Sequence, residues 1–196
     1  RTDKKRGYEN ALEILDEMNL DGIEVEFVQG VRMSDKSRQV VKDASKKYTF
    51  TAHGPFFINL NAREQEKIDA SITRIIDTAT VANEFGGYSI TYHAAFYLGN
   101  DKDVVFKRVA DRTAQIIEIL EKDNNKIWIR PETTGKSTQW GDIDEIIKLS
   151  KEFKQVLPCV DFSHLHARSG GAFNTYDEFC GILENIATNL DRKSTL

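Results

Sequence analysis

At 196 residues, with 40% apolar and 30% charged side chains, the chain is long enough to bury the core of one ordinary soluble domain. A formal net charge of −4 provides no global basic field, which weakens a nucleic-acid reading but leaves room for a local basic rim. No signal-peptide pattern and no run of 18 apolar residues appears, and Cys159 and Cys180 form no CxxC pair and suggest no disulfide framework, so no membrane partner is expected and a reducing, cytoplasmic setting is.

Ala11, Leu12, Ile14, Leu15 and Met18 recur at helical spacing and predict a helix over 8–19, ended by Asn19-Leu20-Asp21-Gly22. Residues 22–28 alternate as a strand. A short polar helix around 34–47 precedes a second strand over 48–52. Asn61-Ala62-Arg63-Glu64 has the N-x-x-E form of a capping box and opens a long amphipathic helix that Gly86-Gly87 stops. Then follow a strand over 88–92, a helix over 103–122 and a strand over 126–130. Asp142-Ile143-Asp144-Glu145 caps a helix to about 153. Residues 155–162 read as a strand, although Pro158 removes one ladder donor. Thr175-Tyr176-Asp177-Glu178 caps a last helix to about 188.

Strand and helix alternate five times with no linker or repeat between them, the pattern of a parallel α/β fold. The expected architecture is a TIM-type (β/α) barrel, partial over the single domain 1–196, with about five βα units visible. A complete barrel needs eight strands and ~250 residues. The start at Arg1 rather than Met suggests a trimmed N-terminus or a piece of a longer chain. The alternative is an open, doubly wound sheet of five strands. Either fold puts chemistry at the C-terminal ends of the strands.

All four histidines follow β-type runs: His53, His93, and the pair His164 and His166. Glu132 and Asp161 occupy the same kind of position. From His53 to His93 is 40 residues, from His93 to Glu132 is 39, and from Glu132 to Asp161 is 29. One strand, one helix and their loops need at least ~30 residues, so each candidate lies about one βα unit after the last. Adjacent parallel strands lie ~4.8 Å apart, and their end residues can converge on one ion at ~2.0–2.2 Å. Imidazole and carboxylate are ligands for zinc and related divalent ions. A lone histidine is more often an ordinary surface residue, and Glu132 alone reads as a loop carboxylate or helix cap; the joint pattern carries the metal reading. Asp161 and His164 are spaced D-x-x-H and can both turn inward where the strand ends. His166, two residues on, shares that face if the chain stays extended, as a supporting group or a plain loop residue. Gly135-Lys136-Ser137 mimics the end of a phosphate-binding loop, but Arg130 stands where the first glycine is needed. No G-x-S-x-G nucleophile elbow occurs.

Four strings in order, Thr-Ala-His53-Gly-Pro-Phe-Phe, Thr-Tyr-His93, Arg-Pro-Glu132-Thr-Thr-Gly-Lys and Cys-Val-Asp161-Phe-Ser-His164-Leu-His-Ala-Arg, resemble the endonuclease IV family of zinc-dependent enzymes that cut DNA at abasic sites. The resemblance runs from about residue 8 to the end. It implies that His53 and His93 hold one zinc, that Glu132 is the catalytic residue bridging it to a second also held by Asp161, and that His164 joins a third. Manganese is the alternative metal. The family's remaining ligands come from later strands, and no histidine follows His166. The resemblance further implies a monomer that binds duplex DNA containing abasic sites, with hydrolysis 5′ of the damaged sugar. Phe56 stands where the family has a tyrosine that enters the base stack, and Arg32 is the candidate basic partner of that wedge. Lys136 and Arg168 are candidate phosphate contacts, with solvated loop charges the plainer reading. The rivals are a divalent-metal sugar isomerase or epimerase on the same barrel, using Glu132 and Asp161 on one ion, and a metal-free binding protein on the same scaffold.

Overall fold

The computed structural model describes residues 7–190. The first and last six residues of the 1–196 span lie outside the described residues. Four parallel strands form one sheet in the order β1 (Gly22–Glu26), β2 (Thr49–His53), β3 (Ser89–Tyr92), β5 (Trp128–Pro131). A two-stranded antiparallel ribbon, β4 (Ala95–Phe96) with β6 (Gln139–Trp140), stands apart. The helices are α1 (Tyr8–Met18), α2 (Asp35–Ala44), α3 (Gln65–Glu84), α4 (Lys102–Lys122), α5 (Ile143–Glu152), α6 (Phe162–Ser169) and α7 (Tyr176–Leu190). Each strand of the main sheet pairs with its predecessor. A doubly wound sheet would reverse its order at a switch point, so the alternative of five doubly wound strands is not what forms. The sheet is an open arc of a barrel.

The period of two along each strand sorts the side chains. Phe50 and Ala52 of β2, Ile90 and Tyr92 of β3, and Ile129 of β5 are buried in the main core, where Phe50 meets Phe85 at the end of α3 edge to face, ring centres 6.2 Å apart. The alternate positions, Thr51, His53, Thr91 and Arg130, share the other face, with His53 in register with Thr91 and Thr91 with Arg130. A second, smaller core of Ile143, Ile147, Leu165, Ile182 and Ile186 joins α5, α6 and α7.

Local signals explain most boundaries. Asp142 and Glu145 form a complete capping box at the start of α5, and Thr175 and Glu178 make the reciprocal pair of bonds before α7. Gly86 turns left-handed (φ 80°) after α3, where a side chain would be strained. The capping role expected of Asn61 fails. Glu64 precedes α3 without a side-chain cap, and the buried Asn61 amide donates to the carbonyls of Phe96 and Tyr97 and accepts from Arg108. A buried amide needs partners, and tertiary carbonyls meet that need better than its own helix start.

The strand expected over 155–162 is also corrected. Only isolated bridges form there, Ile129 with Val156 and Glu132 with Cys159. Leu157 and Cys159 donate to Ile129 and Pro131, so the N–H that Pro158 lacks falls between two good ladder bonds. The chain then leaves the sheet at Asp161, which caps α6 by accepting from the His164 amide at 3.0 Å.

Candidate metal centre

His53 ends β2, His93 follows β3, and Glu132 follows β5. Asp161 and His164 come from the first turn of α6 instead of a strand end. The structure brings the five together in two overlapping groups, His53 with His93 and Glu132, and Glu132 with Asp161 and His164. Within each group the ligand atoms lie within 4.8 Å of one another.

Glu132 is the shared member, with its side chain 10% exposed. Its Oε2 lies 3.2 Å from His53 Nε2 and 3.1 Å from His93 Nε2. Its Oε1 lies 3.3 Å from His164 Nδ1, which is 3.5 Å from Asp161 Oδ2. Burial works against the Glu132 charge, but the bonds from His53 and His93 outweigh it and hold the pKa at about 2. Burial likewise opposes charge on His53, yet Glu132 and the Gly54 carbonyl leave its pKa raised. Desolvation opposes ionisation of Asp161, but the Ser163 hydroxyl and the His164 amide lower its pKa.

The donor set suits a borderline divalent ion. His53 Nδ1 donates to the Gly54 carbonyl at 2.7 Å, an arrangement that would leave Nε2, the nitrogen facing Glu132, to a metal ion when one is bound. His164 differs: the nitrogen nearest the carboxylates is also 2.8 Å from the Thr133 carbonyl. The first group is therefore the better prepared of the two. Neither group includes a cysteine, and burial pushes the Cys159 thiol pKa up.

His166 does not meet the condition of an extended chain. The chain is helical there, so two residues turn it by roughly 200° away from His164. Its Nδ1 meets the Ala172 carbonyl at 2.8 Å and it belongs to neither group. Arg168 is also not a free loop cation. Its side chain is only 14% exposed, and Nη1 donates to the carbonyls of Lys136 and Gln139. Lys136 is exposed. Phe56 is 62% exposed beside the cluster, its ring centre 6.4 Å from that of His53, and Phe57 next to it is 63% exposed. Phe56 N donates to the Val28 carbonyl at 3.4 Å, so the loop after β2 runs beside the loop after β1, on which Arg32 is exposed. A cleft of ≈ 630 Å³ extends from Phe56 and Phe57 along α3 to Arg74.

Three contributors escape a reading of motifs. Glu24 on β1 accepts from Thr51 Oγ1 at 3.2 Å, and burial pushes its carboxyl pKa up despite the nearby His53. Thr133 holds Asp161 from both sides, accepting from its amide at 2.9 Å and donating to its carbonyl at 3.1 Å. Gly141 has φ 119°, and a Cβ there would lie 3.0 Å from the Glu132 carbonyl, so the loop closes behind Glu132 only without a side chain. The alternation of Glu24 and Glu26 was the only sequence signal for the first; nothing local marks the others.

The profile of the family described as xylose isomerase-like TIM barrel matches residues 12–192. An uncharacterized protein of Methanocaldococcus jannaschii is 43% identical over 184 residues, which are 94% of this chain and 67% of that protein. Endonuclease IV from Thermus thermophilus superposes with a TM-score of 0.74 at 17% identity, over 98% of this chain and 70% of that one. The 3-keto-D-glucoside 4-epimerase of E. coli gives 0.73 at 16% identity, over 97% and 74%. A D-tagatose 3-epimerase-like protein gives 0.72 at 18% identity, over 94% and 70%. At these identities the structural likenesses establish the fold alone. The profile match across nearly all of the described residues does more: the chain belongs to the xylose isomerase-like TIM barrel family.

Proposed function

We infer that the chain is a zinc-dependent phosphodiester hydrolase acting on DNA at abasic sites. The observation that carries this reading is the division of Glu132 between two sides. Oε2 faces His53 and His93, and Oε1 faces His164. A carboxylate so placed suits two cations, one on each oxygen. Paired cations suit displacement at phosphorus, where attacking and leaving oxygens both gain charge. Zinc, when bound, supplies Lewis acidity and a water acidic enough to react at neutral pH.

The chain's own residues bind, orient and exclude solvent. His53, His93 and Glu132 would hold one ion; Glu132, Asp161 and His164 would hold the other. Phe56 fills the stack where the base is missing, a step that is cheapest at an abasic site because no pairing has to be broken. Arg32 on the neighbouring loop and the exposed Lys136 supply phosphate contacts.

A divalent-metal sugar epimerase is the second reading, favoured by the net charge of −4 and by the epimerase folds that superpose almost as well. It needs one ion on Glu132 and Asp161 and leaves His53 and His93 without a task. The test gives the zinc-loaded protein a duplex with a single abasic site and, separately, a ketohexose. Nicking on the 5′ side of the abasic site, with the ketose untouched, is expected. Turnover of the ketose without nicking would overturn the hydrolase reading.

A further inference from the structure

We propose that Arg168 is a positioning residue that shapes the second ion position, between Glu132, Asp161 and His164, and has no part in the first. The proposal rests on the two-ion reading above and adds to it a residue whose guanidinium hydrogen-bonds to none of the proposed metal ligands.

Arg168 lies four residues after His164, so both stand on one face of α6. Its guanidinium reaches into the loop that follows Glu132. Nη1 lies 2.7 Å from the Lys136 carbonyl, 2.9 Å from that of Gln139, and 3.0 and 3.4 Å from the hydroxyl and carbonyl of Thr134. Nη2 donates to Tyr97 Oη at 3.4 Å, and Tyr97 in turn donates to Glu145 in the cap of α5. The nearest carboxylate, Asp142, is 4.0 Å away. The buried charge is therefore held mainly by peptide and hydroxyl oxygens, the planar, many-donor role that lysine cannot fill.

The consequence is geometric. Thr133 fastens the start of α6 to this loop, and Arg168 fastens its end. The loop carries Glu132, and α6 carries Asp161 and His164. The distance between the two sets of ligands is thus fixed at both ends of α6. The fit is close as well, since a Cβ on Gly135 would lie 3.2 Å from His164 Cδ2. His53 and His93 are on β2 and after β3, outside the hydrogen-bond set of Arg168.

The test is a calorimetric titration of the chelator-stripped protein with zinc alone. The unaltered protein is expected to take up zinc in two unequal steps, with His53→Ala removing the tighter one. Arg168→Ala should weaken the other step by about tenfold, the low end of what losing a ligand's own hydrogen-bond partner costs, because Arg168 acts one step further out, and change the tighter step less than about threefold. Arg168→Lys should recover only part of the loss. Thr134→Val, which removes one acceptor and keeps the shape, should weaken the same step more mildly and covers the case in which Arg168→Ala does not fold. Equal weakening of both steps, no weakening of either, or loss of the step that His53→Ala removes would each overturn the proposal. A single zinc step in the unaltered protein would overturn it and leave a one-ion site standing. No zinc uptake at all would end the metal reading and this proposal together.

Discussion

At the scale of residues, the roles separate by what each side chain touches. Glu132 lies between His53 and His93 on one side and His164 on the other, the two proposed ion positions, so Glu132→Gln, which keeps the shape and drops the charge, should weaken every zinc step by about 100-fold. Calorimetry reads this directly; a variant that binds zinc like the parent would remove Glu132 from the centre. Phe56 touches the His53 ring environment but no ligand atom, so Phe56→Ala should leave zinc uptake unchanged. If Phe56 stacks in the duplex, the same change should cost about 1–3 kcal/mol in binding an abasic duplex. Convergence of His53, His93, Glu132 and Asp161 was legible from their recurrence at the ends of successive units. Arg168 and His166 were not, because whether a charge or an imidazole faces solvent or a loop depends on a helix direction that spacing alone does not reveal.

At the scale of elements, caps were the most readable feature. Asp142 and Glu145 make both bonds of the box, so Asp142→Ala should cost about 0.5–2 kcal/mol, measurable by urea unfolding. Glu178 accepts from the amides of Asn174, Phe173 and Thr175 and from the Thr175 hydroxyl, which lower its pKa to about 2. Its folded value lies below its ordinary one, 4.5, so its stabilising effect is present above that ordinary value and is lost as pH falls from about 4.5 toward 2. Glu178→Gln should flatten the pH dependence of α7 stability across that window, as followed by hydrogen exchange of its amides. An unchanged profile would mean that the loop before α7 is held by other groups. The segment around Pro158 was read as a strand because its apolar run is continuous, but the same run serves an edge segment that makes two bridges and then caps a helix. Asn61 misled for a related reason: a capping pattern is local, and burial redirected its amide to distant carbonyls.

At the scale of the whole molecule, the order β1-β2-β3-β5 follows the chain, and α1 to α5 contribute to the core on one face of the sheet, while the candidate ligand side chains gather at its C-terminal edge. That arrangement was legible from the alternation of period two and period 3.6, although the fifth strand expected over 155–162 forms only two bridges. Among the described residues no helix is long and apolar enough to cross a membrane. Ile129, fully buried at the centre of β5, ties the arc to its helices; Ile129→Ala should cost about 2–5 kcal/mol by urea unfolding, and a loss under about 1 kcal/mol would show that the arc is not the core of the fold. Candidate ligands from β2, the turns after β3 and β5, and the start of α6 converge on one pocket, for which two ions are proposed. Anomalous diffraction at the zinc edge, from crystals of the protein grown with zinc, tests it most directly. Two peaks are predicted, one within ~2.0–2.2 Å of ligand atoms from His53, His93 and Glu132, the other at the same range from Glu132, Asp161 and His164. Zinc found only away from Glu132, or none at all, would contradict it.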